Sequence, residues 1–242
     1  MCQYEKHLKR QFADRGVYWA TRAQSRLRQL LPNGHITLSC IIDGIDHSKF
    51  RFPRSMVSLS KDMSSFIRPC MDMIACICHG YGLWLIQTLP FVAKDSSLTC
   101  DILTHVLHCL SVDGLDCRSV DLRLQSDNTV RETKNNGTLR WLSMLIGSHR
   151  LARGELRCLS TGHSHEDVDQ CFSAVSNYIQ KEKELHVPDD FTRVLTELLS
   201  DRTFRPHERI RKVELVSKVR EWFPGGDPVA SFDLYRNVVS VW

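Results

Sequence analysis

Short runs of apolar and β-branched residues, separated by turn-forming residues, dominate the first two thirds of the chain. Such runs are typical of strands, and residues 119–125 also show the period-two alternation of a half-buried strand. We predict five strands, at residues 35–42, 71–78, 82–88, 119–125 and 155–160. The second and third are joined at residues 79–82 (HGYG), which is typical of a hairpin turn. The first three strands are therefore expected to form a meander.

Helical spacing of apolar residues predicts the other elements. The predicted helices are residues 3–30, loosened near Gly16, and residues 97–111, 129–148, 166–183, 190–200 and 207–222, the last rich in basic residues. In the second half of the chain the helices alternate with strands. This order predicts an α/β protein with a mixed five-stranded sheet flanked by helices, an N-terminal helix and a helical C-terminal tail.

The composition narrows the class of protein. The 242 residues are 42% hydrophobic and 25% charged, which excludes a disordered tail, a collagen-like fibre and a disulfide-stabilised miniprotein. No apolar run approaches the ~20 residues that span a bilayer, and the first residues lack the apolar core of a signal peptide. The ten cysteines contain no C-x-x-C pair, which argues against a zinc ribbon. We therefore expect an intracellular protein with reduced cysteines and no membrane segment.

Basic residues are concentrated in two segments. Residues 1–29 and residues 202–220 each carry seven basic and two acidic residues, whereas the whole chain has a net charge of +4. The remaining residues are therefore acidic on balance. Basic flanks around an acidic middle suit a protein that binds a polyanion and holds metal ions. The alternative is that both segments are solvated helix faces, which is the commoner use of such charge runs.

Acidic residues follow three of the predicted strands. Asp43 ends the first strand, Asp127 follows the fourth, and Asp167 and Asp169 open the helix after the fifth. Carboxyl ends of neighbouring parallel strands lie at one edge of a sheet, and clustered carboxylates bind a proton or a cation. All-oxygen ligands favour Mg²⁺ or Mn²⁺, and two such ions promote phosphoryl transfer. Each residue also has an ordinary explanation: a turn at Asp43, a helix cap at Asp127, and a first-turn charge at Asp167 or Asp169.

Three segments combine these acids with histidine or lysine. They are residues 43–49 (DGIDHSK), 127–135 (DNTVRETKN) and 162–172 (GHSHEDVDQCF). They resemble the D-G-x-D-x-x-K, D-N-x-x-x-E-x-K-N and G-H-T-H-x-D-x-D-Q-x-F sequences of a transposon-derived domain family of eukaryotes, with Ser164 where threonine is usual. The order of the predicted elements and the positions of the acidic residues resemble those of the ribonuclease H-like fold of DDE-type transposases and retroviral integrases. The resemblance covers residues 1–185.

The resemblance implies a metal-dependent site for phosphodiester cleavage and strand transfer on DNA. Asp43 and Asp127 would be the first two catalytic metal ligands, and the metal would be Mg²⁺ or Mn²⁺. The third catalytic ligand is Asp167 or Asp169. We favour Asp169, because Asp167 is nearer the loop and suits a helix cap. The interval of 42 residues between Asp127 and Asp169 is comparable to that in such transposases.

The resemblance also implies DNA as the partner, a homo-oligomer assembled on DNA ends and a nuclear location. Glu132 and Lys134 are expected to contact phosphate or to support the metal ligands. The candidate nucleic-acid contacts are Lys49, Arg51, Arg54 and Lys134. The expected parts are a basic N-terminal helical segment (1–31), a ribonuclease H-like catalytic-type domain (32–185) and a basic helical C-terminal extension (186–242).

Two other functions compete with a DDE-type enzyme. His163 and His165 are further candidate ligands of the catalytic metal, but with Asp167 they also look like the H-x-H-x-D-H motif of zinc hydrolases, which has histidine where this chain has Val168. Zinc with nitrogen ligands would distinguish that enzyme from one using Mg²⁺ or Mn²⁺. The third candidate is a catalytically inactive, transposon-derived module that binds nucleic acid or supports assembly.

Overall fold

The computed structural model describes residues 3–45, 50–55, 66–127, 129–158, 167–181 and 184–217. These residues form an α/β protein in which helices cover both faces of a mixed sheet. The helices are α1 (Gln3–Leu27), α2 (Ser96–Val112), α3 (Asn136–Gly147), α4 (Asp167–Lys181) and α5 (Pro188–Ser200). The strands are β1 (Ile36–Gly44), β2 (Arg54–Ser55), β3 (Asp72–Cys78), β4 (Gly82–Thr88), β5 (Val120–Ser126), β6 (Arg153–Cys158), β7 (Glu184–Leu185) and β8 (Ile210–Val216).

The main sheet has the strand order β6-β5-β1-β3-β4-β8. On one side of β1, strands β3 and β4 complete an antiparallel meander, as the sequence predicts. On the other side, β5 and β6 run parallel to β1. The five strands predicted from the sequence are thus confirmed. A separate two-stranded sheet pairs β2 with β7.

The structure corrects the prediction for the C-terminal part. Residues 207–222, predicted as a basic helix, contain strand β8, so the tail is not wholly helical and the main sheet has six strands rather than five. Ile210 and Val216 of β8 pack on one core and Val213 on the other. Parallel pairing with β4 brings these residues against the cores, and the intervening charged residues protect the sheet edge. The predicted helix at residues 190–200 is confirmed as α5.

Two other helices differ from their predicted form. Helix α1 runs without a break through Gly16, because a single glycine inside a long helix costs only about 1 kcal/mol. Helix α3 begins at residue 136 and not near 129. The Asn135 side chain accepts a hydrogen bond from the Thr138 N–H and so caps the helix at this point.

Two apolar cores lie on opposite faces of the sheet. Leu38 and Cys40 of β1 point to the core beneath α2 and α3, which also contains Trp84 and Trp141. Ile41 points to the core beneath α4 and α5. The three central strands are buried on both faces for this reason. Residues 188–216, predicted as part of a C-terminal extension, belong to the same two cores and the same sheet.

Gly80 lies in the β3–β4 hairpin turn, where its backbone packs closely against helix α1. Its φ of 82° lies in the left-handed region, and an added Cβ would stand 2.7 Å from the Arg26 Cα. The left-handed conformation costs an alanine about 1–2 kcal/mol, and the collision with backbone adds to that cost. We therefore expect Gly80→Ala to lower the free energy of unfolding by more than about 2 kcal/mol, measured by urea denaturation.

Gly114→Ala is the matched control for this substitution. Gly114 has a φ of 97°, but an added Cβ would meet nothing within 4 Å. Its cost is therefore the backbone conformation alone, about 1–2 kcal/mol. Equal losses in the two variants would contradict the close packing of α1 against the hairpin.

Candidate functional site

The pairing of β1 with β5 places two of the predicted metal ligands at the ends of adjacent strands. In this parallel pair Ile42 stands opposite Ser126, and the residues that follow these two are Asp43 and Asp127. Neighbouring strands lie about 4.8 Å apart. Both aspartates are half-buried and stand at the carboxyl ends of adjacent strands, which is the sheet edge where open α/β proteins place their sites.

The Asp127 carboxylate also organises the turn that leads into α3. Its Oδ1 accepts hydrogen bonds from the Thr129 N–H at 3.1 Å and the Thr133 hydroxyl at 3.3 Å, and its Oδ2 accepts one from the Thr129 hydroxyl. Asp127 therefore holds a turn and does not cap α3, whose cap is Asn135. A carboxylate has about four lone-pair positions, so the three donors leave capacity for a cation.

Three further charged side chains gather at the same edge. Asp72 opens β3, next to the end of β1, and its Oδ1 lies 2.9 Å from the Lys94 Nζ. That Nζ is 3.9 Å from the position of a Cβ added to Gly44. Burial raises the pKa of Glu132; Lys94 lowers it, and the negative charges of Asp127 and Asp72 raise it further. Glu132 thus shares an electrostatic neighbourhood with Asp72, Lys94 and Asp127. With Asp43, which stands at the neighbouring strand end, the carboxylates form what we call the acidic edge: Asp43, Asp72, Asp127 and Glu132.

Asp167 lies elsewhere, in a buried ionic cluster. Its Oδ2 is 2.8 Å from His79 Nε2, and its Oδ1 accepts a hydrogen bond from Arg22. Arg205 and Arg26 approach Oδ2 to 3.8 and 4.0 Å. The Asp167 side chain is only 3% exposed, so these cations replace its water. The buried cluster consists of Arg22, Arg26, His79, Asp167, Arg205 and Glu208.

The position of His79 shows how far Asp167 is from the acidic edge. The His79 N–H donates to the Ser39 carbonyl, and Ser39 precedes Asp43 by four residues, or about 13 Å along a strand. Burial would raise the pKa of Asp167, but the His79 hydrogen bond and the charges of His79, Arg22 and Arg205 hold it below its usual value. Asp167 is thus a stable anion with its own partners.

The other predicted site residues are distributed as follows. Asp169 is half-buried in the first turn of α4, two residues after Asp167, and its part in a metal site stays a prediction. Lys49, His163 and His165 lie outside the described residues.

The remaining predicted DNA contacts lie in described segments. Lys134 is exposed and belongs to the turn held by Asp127, since its N–H donates to the Thr129 carbonyl. Arg51 is exposed, and its backbone pairs with that of Cys70 in an isolated antiparallel β-bridge. Arg54 is half-buried in β2. Lys134 is therefore the predicted DNA contact that the described chain places next to the acidic edge.

Part of the basic flanks serves the fold. Arg22 and Arg26 of α1 and Arg205 of the second flank belong to the buried cluster. Arg211 donates to the carbonyls of Asp201 and Phe204. The expectation that both flanks bind a polyanion thus applies only to their other residues.

Sequence reasoning missed Asp72 and Lys94 at the acidic edge. Asp72 opens a strand that runs antiparallel to β1, and the start of such a strand lies beside the end of its neighbour. The predicted meander was therefore a usable signal for Asp72. The Lys94 contact with Asp72 comes from the loop before α2, and no motif indicates it.

Comparison with known proteins gives a family but no function. A family model with the description Domain of unknown function (DUF7869) matches residues 61–226. That range begins after Asp43 and includes Asp72, Asp127 and Glu132. No curated protein and no solved structure matches the chain. None of the helices in the described part of the chain combines the length and apolar character needed to span a bilayer.

Proposed function

The chain belongs to the DUF7869 family, and we propose that it is a ribonuclease H-like domain of DDE type that cleaves DNA phosphodiesters with divalent metal ions. The strand arrangement supports this proposal. An antiparallel meander ends at β1, and β5 and β6 continue the sheet as parallel strands on its other side. Cleavage and strand transfer share this chemistry, because either a water or a DNA 3′-hydroxyl attacks the phosphorus.

The observation that carries the proposal is the placement of Asp43 beside Asp127 at the carboxyl ends of adjacent parallel strands. Their donor atoms are all oxygen, and Asp127 retains lone pairs after its three hydrogen bonds. Hard oxygen ligands fit Mg²⁺ or Mn²⁺. If bound there, two such ions would stabilise the charge on the attacking and leaving oxygens of an in-line displacement. The protein's part is to hold the carboxylates and orient the phosphate.

We assign Glu132 as the third carboxylate of this site. Burial is the main cause of its raised pKa, which Lys94 lowers and the nearby charges of Asp127 and Asp72 raise. A bound cation would relieve the repulsion among these carboxylates. Asp167 is less suited to the role, because His79 and Arg22 already bind its two oxygens. The same contacts weaken the zinc-hydrolase alternative, which needs Asp167 as a metal ligand. Asp169 remains the competing third ligand.

DNA is the proposed substrate and partner. Lys134, in the Asp127 turn, would contact a phosphate near the acidic edge, and exposed Arg51 with half-buried Arg54 would contact the backbone further away. Lys6 and Lys9 of α1 are exposed and available to bind phosphate. Because each contact releases counterions, DNA affinity should fall steeply with salt concentration. A homo-oligomer on DNA ends, in the nucleus, is the corresponding biological form.

The test is a cleavage assay with labelled duplex DNA and with supercoiled plasmid. We expect nicking or end cleavage with Mg²⁺ or Mn²⁺, and none with EDTA. The complete protein should also bind DNA in a salt-dependent gel-shift assay. Absence of cleavage with either metal would overturn the enzymatic proposal.

An inactive nucleic-acid module is the second candidate. The use of the Asp127 carboxylate to hold the turn before α3 favours it, because this role would preserve the residue without catalysis. DNA binding that persists without cleavage would support this module.

A further inference from the structure

Helix α2 and the edge strand β8 bring a histidine, a cysteine and a glutamate together, away from the acidic edge. His105 and Cys109 are one helical turn apart, so they occupy the same face of α2. Glu214 of β8 reaches them from the sheet. One ligand atom from each residue, His105 Nε2, Cys109 Sγ and a Glu214 carboxylate oxygen, lies within 4.8 Å of the other two.

The three atoms are arranged around a common point. His105 Nε2 is 3.6 Å from Cys109 Sγ and 2.6 Å from Glu214 Oε2. Glu214 Oε2 is buried, so its close contact with the imidazole is shielded from water.

We propose that His105, Cys109 and Glu214 bind a zinc ion. The donor set of imidazole nitrogen, thiolate sulfur and carboxylate oxygen is the one that proteins use for Zn²⁺, whereas Mg²⁺ and Ca²⁺ take oxygen ligands. Binding displaces the proton of the Cys109 thiol and the Nε2 proton of His105, whose pKa Cys109 and Glu214 raise to about 9, and both protons pass to solvent. Three protein ligands leave a fourth tetrahedral position, which a water molecule fills.

The distance between His105 Nε2 and Cys109 Sγ agrees with a bound zinc ion, and the distance between His105 Nε2 and the Glu214 carboxylate requires a small adjustment. At ordinary bond lengths, tetrahedral zinc separates an imidazole nitrogen from a thiolate sulfur by about 3.5 Å, and from a carboxylate oxygen by about 3.3 Å. The observed 3.6 Å between His105 and Cys109 fits without movement. The carboxylate of Glu214 must move away from His105 by about 0.7 Å, which a side-chain rotation supplies.

This site is separate from the acidic edge. Glu214 is opposite Ile86 of β4, Ile86 is opposite Ile74 of β3, and Ile74 is opposite Gly44 of β1. Three strand spacings, or about 14 Å, thus separate Glu214 from the end of β1. The ion would hold the edge strand β8 against helix α2, and its stabilisation of the folded chain would rise with the logarithm of the free zinc concentration. The proposal does not depend on the nuclease activity.

The experiment measures zinc and cobalt binding by the complete chain under reducing conditions. We expect one equivalent of zinc to resist dialysis, and Co²⁺ to give the near-ultraviolet band of a thiolate ligand. Cys109→Ser and Glu214→Gln should each weaken zinc binding by more than about a hundredfold, beyond the 10–100-fold effect typical of outer-sphere residues. The controls are Cys117→Ser and His108→Ala, which change the same residue types outside the cluster and should bind zinc as the unaltered chain does.

A second measurement reports on Cys109 itself. Zinc should protect Cys109 from alkylation in the folded protein, while the reactivity of Cys117 stays unchanged. Circular dichroism establishes that each variant is folded, and Glu214→Gln, which retains the size of the side chain, tests the site if Cys109→Ser does not fold. Zinc binding unaffected by Glu214→Gln, or absent from the unaltered chain, would leave an ordinary ion pair between His105 and Glu214 and overturn the proposal.

Discussion

Asp167→Asn is expected to lower the free energy of unfolding by about 3–5 kcal/mol, because removing one member of a buried ionic network leaves its partners uncompensated. The Asp167 carboxylate is nearly inaccessible and faces His79, Arg22 and two other arginines. An asparagine keeps the shape of the side chain, but it cannot balance the charges of these arginines. Urea denaturation at neutral pH measures the loss.

Asp189→Asn provides the matched control. Asp189 is also an aspartate in the first turn of a helix, α5, but it is exposed. Loss of its charge should cost less than about 1 kcal/mol, the usual size of an interaction with the helix dipole. Equal losses in the two variants would show that the buried cluster contributes little. A folded Asp167→Asn protein of normal stability but without nuclease activity would return Asp167 to the metal site.

The sequence predicts a strand correctly where the apolar pattern of the segment reflects how the strand is buried in the fold. β1, β3 and β4 are short apolar runs because helices cover both faces of the sheet, and so the strand pattern was clear. The strand β8 was not predicted, because Arg211, Lys212 and Glu214 interrupt its apolar residues. Its strand conformation depends on pairing with β4, more than a hundred residues earlier in the chain.

The sequence predicts only part of the site, because only some of its residues are marked by their position next to a strand. Asp43 and Asp127 each follow a strand predicted from the sequence, and the parallel pairing of β1 with β5 places them at neighbouring strand ends. Asp167 has the local appearance of a residue in the first turn of a helix, but its partner Arg22 is 145 residues away. Its role is set by tertiary contacts that neither spacing nor motif contains.

Asp127→Asn is expected to reduce DNA cleavage by at least about a hundredfold while leaving the fold intact. Asparagine can accept the hydrogen bonds of the Thr129 N–H and Thr133 hydroxyl through its oxygen and donate to the Thr129 hydroxyl, so the turn before α3 is preserved. Loss of the negative charge removes a metal ligand. The loss of activity should therefore exceed the 10–100-fold loss that is typical when an outer-sphere residue is altered. Asp43→Asn should behave in the same way. Cleavage rates over a range of Mg²⁺ and Mn²⁺ concentrations measure the effect.

Glu132→Gln and Asp169→Asn then decide which carboxylate completes the site. If Glu132 is the third ligand, Glu132→Gln should match the loss in Asp127→Asn, and Asp169→Asn should retain most of the activity. The reverse result would place the metal nearer the first turn of α4, and it would require that helix to approach the ends of β1 and β5 when DNA binds. Unchanged cleavage in both Asp43→Asn and Asp127→Asn would exclude the acidic edge as a catalytic site, because no arrangement of ions at these strand ends can do without both carboxylates.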